Sequence, residues 1–189
     1  MRARLSGLLL GVLFVLPLAP VLADDYDDSI KVFKNAGESG KFFGSSYGYA
    51  LFPTIGKGGV GVGGAYGTGR VYQKAAYVGD TSMTQVTVGL QLGGQAYSQI
   101  IFFEDKRAFD EFTGGNFEFG AQASAVAITA GAQAQAGTAG TGAGASGGQH
   151  DAKTRGGYQK GMAVFTVAKG GLMYEASIGG QKFSYKPKK

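Results

Sequence analysis

The chain contains no cysteine, a single histidine and four prolines among 189 residues. Without cysteine there is no disulfide staple, no thiolate metal ligand and no acylated lipoprotein anchor, so stability must come from burial and backbone pairing. His150 lies beside a Gly/Ala-rich stretch and reads as a solvated loop residue. One histidine cannot assemble a structural zinc site, nor a Ser-His-Asp or Cys-His pair held on rigid elements. Charge is also scarce. Eighteen basic and 13 acidic residues leave +5, two charges of which are Arg2 and Arg4. That balance is far from the density of a nucleic-acid binder and favours an anionic surface only weakly. After the first 23 residues no run is long and apolar enough to cross a membrane as a helix.

Those first residues have a pattern of their own. Arg2 and Arg4 precede an apolar run from Leu8 to Leu16, and Val21-Leu22-Ala23 places small side chains where a signal peptidase reads. Pro17 and Pro20 interrupt the run, which is too short for a membrane anchor. Residues 1–23 are therefore expected to be a cleaved signal peptide, and residues 24–189 a single exported domain.

Glycine is what the chain has in quantity, 35 residues in all. The glycines alternate with valine, tyrosine, phenylalanine and leucine, which are strand formers, and a disordered glycine-rich chain would not show that order. Asp24, Asp25, Asp27 and Asp28 open an apolar stripe through Tyr26, Ile30, Phe33 and Ala36 at helical spacing. Gly37 or Gly40 is the expected stop. Such a helix either seeks a membrane surface or docks on the protein's own core, and its acidic start favours the second.

From Tyr47 the period is two. Residues 59–67 alternate glycine with larger side chains, Gly67-Thr68-Gly69 reads as a turn, and Arg70 to Gln73 continue beyond it. In residues 84–92, Val86, Val88, Leu90 and Leu92 are expected to face the core, with Gln85, Thr87, Gly89 and Gln91 on the wetter side. Gly93-Gly94 reads as a turn, after which Tyr97 to Phe103 is expected to return as the antiparallel partner of residues 84–92. Residues 104–112 read as a short helix with Ala108, Phe109 and Phe112 on one side. Residues 117–130 read as a long strand and 131–148 as a flexible Gly/Ala-rich loop. Strands near 160–168 and 171–178 precede a lysine-rich tail over 181–189. The resulting fold class is α+β, predominantly β. It comprises about seven to nine antiparallel strands in a curled sheet, barrel or sandwich, with an N-terminal helix and one short mid-chain helix.

Chemistry-bearing motifs are weak. Gly56-x-Gly58-x-x-Gly61 and Gly59-x-Gly61-x-x-Gly64 match the dinucleotide fingerprint in letters, but no helix follows to receive a pyrophosphate. No nucleotide, cofactor or metal is expected. The carboxylate pairs Glu104/Asp105 and Asp110/Glu111 sit at a helix end or on an exposed helix face, and no nucleophile–base set accompanies them. The basic residues form a more informative group. Lys57, Arg70 and Lys74 lie in or beside the glycine-rich hairpin, and Lys182, Lys186, Lys188 and Lys189 occupy the tail. Tyr66, Tyr72, Phe183 and Tyr185 are interleaved with them. Rings with lysines suit a membrane–water interface, while lysines alone would equally guard a solvated sheet edge.

The stretch Ser46 to Tyr72 resembles the signature block of the SYLF family, whose namesake region corresponds to Tyr49-Ala50-Leu51-Phe52. The likeness continues through Val88 to Phe103 and Phe109 to Gly120, and ends in Lys169 to Gly179, covering most of the chain after residue 23. The resemblance implies non-catalytic binding of membrane lipid with acidic headgroups, and in eukaryotic members links to actin. Those eukaryotic details transfer poorly. The family's eukaryotic domain has a basic amphipathic N-terminal segment where this chain has four aspartates, and an exported protein would not meet actin.

The expected partner is thus an anionic phospholipid or membrane surface, met in the periplasm or cell envelope by a peripheral protein. The headgroup candidates are Lys57, Arg70 and Lys74, with Tyr66, Tyr72 and the tail lysines beside them. Alternatives are a small outer-membrane barrel, a self-associating envelope structural protein, and a hydrolase with an unfamiliar site.

Overall fold

A computed structural model describes residues 24–60, 62–88, 95–121, 123, 125–128, 157–169 and 178–189. The expected signal peptide, the loop at 131–148 and His150 lie outside the described residues, as does nearly all of the strand expected over 171–178.

The acidic opening does form a helix, α1 (Asp24–Asn35), with Tyr26 and Phe33 buried and Ile30 partly buried, and Ala36 is buried just past its end. It ends before either expected glycine, and two further single turns, α2 (Gly37–Gly40) and α3 (Phe42–Ser45), carry the chain to the sheet. The strands are β1 (Gly48–Val60), β2 (Val62–Gln73), β3 (Ala76–Val88), β4 (Gln95–Phe103), β5 (Phe117–Glu118), β6 (Val126–Ile128), β7 (Met162–Lys169) and β8 (Lys182–Pro187). Between β4 and β5 stands the expected mid-chain helix, α4 (Lys106–Thr113). Its N-cap Asp105 accepts a bond from the Ala108 amide at 2.8 Å, and Ala108, Phe109 and Phe112 are buried.

All eight strands share one curled, open sheet in the order β5-β8-β3-β2-β1-β4-β7-β6. The pairings are antiparallel except that of β6 with β7, which is parallel. Hairpins join β1 to β2 and β2 to β3, as period-two alternation with tight turns requires. β4 does not return beside β3 as expected; it pairs with β1 on the far side of β2, and the expected Gly93-Gly94 turn lies outside the described residues. The β2–β3 turn is closed by Lys74 and Ala75, both at positive φ (47° and 67°), the backbone twist that a two-residue hairpin turn needs.

Several elements differ from the sequence expectation. Gly67-Thr68-Gly69 is not a turn; it lies inside β2, and the chain reverses between Val60 and Val62. A Cβ on Gly69 would stand 2.5 Å from the Leu51 carbonyl oxygen and 2.7 Å from the Phe52 ring, so this glycine answers to a neighbouring strand. Of the long strand expected over 117–130, the described residues form β5 and β6 as separate short strands. The lysine-rich tail is itself a strand, β8, held between β3 and β5.

At Gln85 and Val86 the facing of β3 is the reverse of expectation, while the side chains of residues 87–92 lie outside the described residues. Val86 is 77% exposed and Gln85 is 5% exposed. Met83 enters the core, and the parity it sets sends Gln85 inward. The amide of Gln85 is satisfied there by donating to the Gly179 carbonyl at 2.9 Å.

The sheet buries both faces. The inner face packs Phe52, Ile55, Met83, Ile101, Phe103 and Phe183 with α4. On the outer face, Tyr26, Phe33 and Phe42 of the N-terminal helices cover Tyr49, Leu51, Tyr72, Ile100, Phe102 and Phe165. The helix thus docks on the core, as its acidic start suggested.

Candidate functional site: the outer face of the sheet

α1–α3 cover only one half of the outer face. The covered half is aromatic throughout. Phe42 stacks on Phe102 with centroids 5.4 Å apart, Phe43 meets Phe102 edge-on at 5.0 Å, and Tyr49 stacks on Tyr72 at 4.8 Å. Burial lifts the Tyr49 phenol to about 12 and, in direction, raises that of Tyr72 as well. Tyr72, a sequence candidate for lipid contact, is therefore part of the core.

Arg70 marks the boundary. Its guanidinium lies 4.2 Å from the Tyr26 ring centroid and 5.1 Å from that of Tyr77, fastening α1 to the sheet by cation–π contact. Lys188 approaches the other side of the group, 4.8 Å from the Tyr77 ring, and the Tyr77 hydroxyl donates to Asp80 at 2.7 Å. In the sheet register Arg70 pairs with Asp80 and Asp80 with Lys186. The structure therefore brings Arg70 and the tail lysines Lys186 and Lys188 together around Tyr77 and Asp80.

The other sequence candidates do not join that group. Lys74 sits exposed in the β2–β3 turn. Lys57 pairs with Ala65, five residues from Arg70 along β2, which at about 3.3 Å per residue is roughly 17 Å away. Lys182 forms an ion pair with Glu118 at 3.6 Å, and Lys189 ends the chain exposed. Tyr66 is 57% exposed on the uncovered half.

Beyond Arg70 no described element covers the outer face, and its rows follow from the register. One row is hydroxylic, with Ser184, Ser82, Thr68 and Thr54. The next runs Lys182, Thr84, Tyr66, Gly56, Ala96, Lys169. The third is Val86, Gly64, Gly58, and the strand reversal puts Val62 beyond it. Lys169, which sequence reading did not single out, projects from β7 and donates to the Thr54 hydroxyl at 2.8 Å. It has no ion pair among the described residues. Its signal was available only as the polar end of an apolar strand.

The inner side offers less chemistry. Gln99 and Gln181, both fully buried, exchange amide bonds at 2.9 and 3.2 Å, and Gln181 also donates to Tyr97 at 3.2 Å. Burial pushes the Tyr97 phenol up to about 12, the bond from Gln181 opposing it. These groups satisfy one another. No group of three or more His, Cys, Asp or Glu side chains able to hold a metal occurs among the described residues.

Comparison with known proteins agrees with the motif blocks. Residues 84–188 match the family model Ysc84, described as Las17-binding protein actin regulator. The chain belongs to this SYLF (Ysc84) family. It is also 27% identical, over 163 residues, to the "Beta cell expansion factor A" of Aeromonas veronii, an alignment covering 82% of this chain. The chain spans about half, 51%, of the length of that curated relative. In this SYLF chain the block Tyr49-Ala50-Leu51-Phe52 lies in β1 with all four residues buried, Tyr49 and Leu51 on the outer face and Ala50 and Phe52 on the inner.

Proposed function

We propose that this SYLF protein binds membrane lipid without catalysis, with anionic phospholipid headgroups as the polar part of the ligand, and does so in the cell envelope after export. The observation that carries the reading is the outer sheet face. Lys186 and Lys188 gather at its β8 side and Lys169 projects from its β7 side. Between them run exposed hydroxyls and Tyr66. Lysines attract phosphate over a Debye length and a tyrosine ring settles at headgroup depth, so the two together suit a wet, anionic interface. The carboxylates on this part of the face are already engaged, Asp80 by the Tyr77 hydroxyl and Glu118 by Lys182. Family membership supports a binding domain as the general class.

The test is co-sedimentation of the purified protein with phosphatidylglycerol and phosphatidylcholine vesicles across a salt series. Binding should prefer the anionic vesicles, fade as salt screens it, and weaken on the order of fivefold for each of Lys169→Ala, Lys186→Ala and Lys188→Ala. Equal affinity for both vesicle types at every salt concentration would remove the headgroup from the reading. Failure to bind either would remove lipid altogether.

A further inference from the structure

We infer that the valine–glycine end of the outer sheet face is the part of the molecule that enters a lipid bilayer, with Tyr66 and Lys169 at the headgroup boundary. The inference rests on the lipid-binding reading above and adds to it an orientation and an apolar contact that the headgroup argument does not require.

The glycines of the central strands divide into two kinds. Those on the inner face have no room for a side chain. A Cβ on Gly67 would lie 2.6 Å from Ile55 and 3.0 Å from the Thr54 carbonyl oxygen, and Gly69 is as tightly placed. On the outer face, a Cβ on Gly56 or Gly58 would meet nothing within 4 Å, and one on Gly64 would make an ordinary contact at 3.5 Å. Neither packing nor backbone conformation asks for glycine at these three positions. Glycine inside a strand costs roughly 0.5–1 kcal/mol relative to alanine, and marks places where something approaches the backbone closely. No described residue approaches there.

The side chains set among these glycines are apolar and exposed. Val62 is 65% exposed and Val86 77% exposed, beside Tyr66. Together with the glycine backbone they form a flat strip, whose amides and carbonyls are already spent in sheet pairing. Such a strip can offer contact area but no hydrogen bonds, which is what acyl chains accept.

The face also grades in one direction. From the Arg70 row it passes through hydroxyls to the row of Tyr66 and Lys169, then to valine and glycine. Val62 lies four residues past Tyr66 on β2, about 13 Å at strand rise, a little deeper than the 5–10 Å typical of interfacial burial. The acidic start of α1 lies at the opposite end: Tyr26 sits on Arg70, eight residues or about 26 Å from Val62. With the valine end down, the aspartates are held farthest from anionic phosphate.

The chain has no tryptophan, so Tyr66→Trp introduces a single reporter. Glu111→Trp, exposed on α4, is the reference. With phosphatidylglycerol vesicles carrying brominated acyl chains, the Tyr66→Trp emission should shift to the blue and be quenched, while that of Glu111→Trp stays unchanged. Val62→Asp with Val86→Asp should keep the wild-type unfolding midpoint and lose vesicle affinity on the order of tenfold or more. If wild type binds vesicles but Tyr66→Trp does not respond, or the double aspartate variant binds as wild type, the orientation is overturned and the headgroup reading stands. If wild type binds no vesicle, both fall. A blue shift that needs no vesicle and grows with protein concentration would assign the strip to a second copy of the chain, and would overturn the inference equally.

Discussion

The two halves of the outer face are made by the same central strands and differ in almost everything else. Under α1–α3 the strands present Tyr49, Tyr72, Phe102 and Phe165, and the helices return Phe33 and Phe42 to meet them. Past Arg70 they present Thr68, Tyr66, Gly64 and Val62, and no described element covers them. A sheet face that is half covered shows which of its residues serve folding and which are free for something else. Folding uses large rings in contact and glycines pressed against neighbours. The open half has small or isolated apolar side chains and glycines with space above them, and its composition is left for contact with something outside the chain.

That contrast can be broken by substitution. The largest effect belongs to the covered half. Phe102 is fully buried among Phe42, Phe43, Tyr49 and Phe165, so Phe102→Ala should cost about 3–5 kcal/mol in urea unfolding. Val62→Ala on the open half should stay within about 0.5 kcal/mol. Equal costs would mean that the open half is packed after all.

Next comes alkaline pH. Tyr49 and Tyr97 have phenols raised to about 12 against an ordinary 10.0, chiefly by burial. A folded-state value above the unfolded one gives stability that is intact below pH 10 and is lost as pH rises through 12. For two units the loss is on the order of 2–3 kcal/mol per tyrosine. Phenolate absorbance should therefore lag for these rings and appear together with unfolding.

A smaller difference separates the two kinds of glycine. Gly69→Ala should destabilise by about 1–3 kcal/mol, because its Cβ meets the Leu51 carbonyl and the Phe52 ring. Gly56→Ala and Gly58→Ala should instead stabilise by roughly 0.5 kcal/mol each, having open space and an extended backbone. Thermal unfolding midpoints decide the sign.

The smallest effect tests the boundary. Removing the ring under Arg70 by Tyr26→Leu should cost about 1 kcal/mol and raise amide exchange in α1 while leaving the β2 and β3 amides protected. Uniform loss of protection would show that α1 is integral to the sheet and not fastened to it.

Much of this arrangement was legible in the residues. The helix over the aspartates, the mid-chain helix and the antiparallel, predominantly β centre follow from period, but the pairing of β4 with β1 instead of β3 does not, because strand order is set by contacts between distant segments. Strand facing failed at β3, since Val86, Val88, Leu90 and Leu92 alternate cleanly and hydrophobicity alone turns that row inward. Met83 and the pairing with β8 set the opposite parity, and Gln85 is tolerated inside because the Gly179 carbonyl receives it. The candidate site was legible as a composition of lysine and tyrosine, not as a place. Lys57 and Arg70 are near in sequence but distant along the hairpin, while Lys188 reaches Tyr77 only because the tail folds back as β8.

Sequence by itself determined that this is a glycine-rich, cysteine-free β protein of the SYLF kind, because alternation, capping and motif order are local properties written along the chain. Tertiary structure decided which glycines are enclosed and which are bare, which lysines share a surface, and that Arg70 belongs to the latch under α1. Those are questions of what lies opposite, and strand register answers them only after residues far apart in the chain have paired.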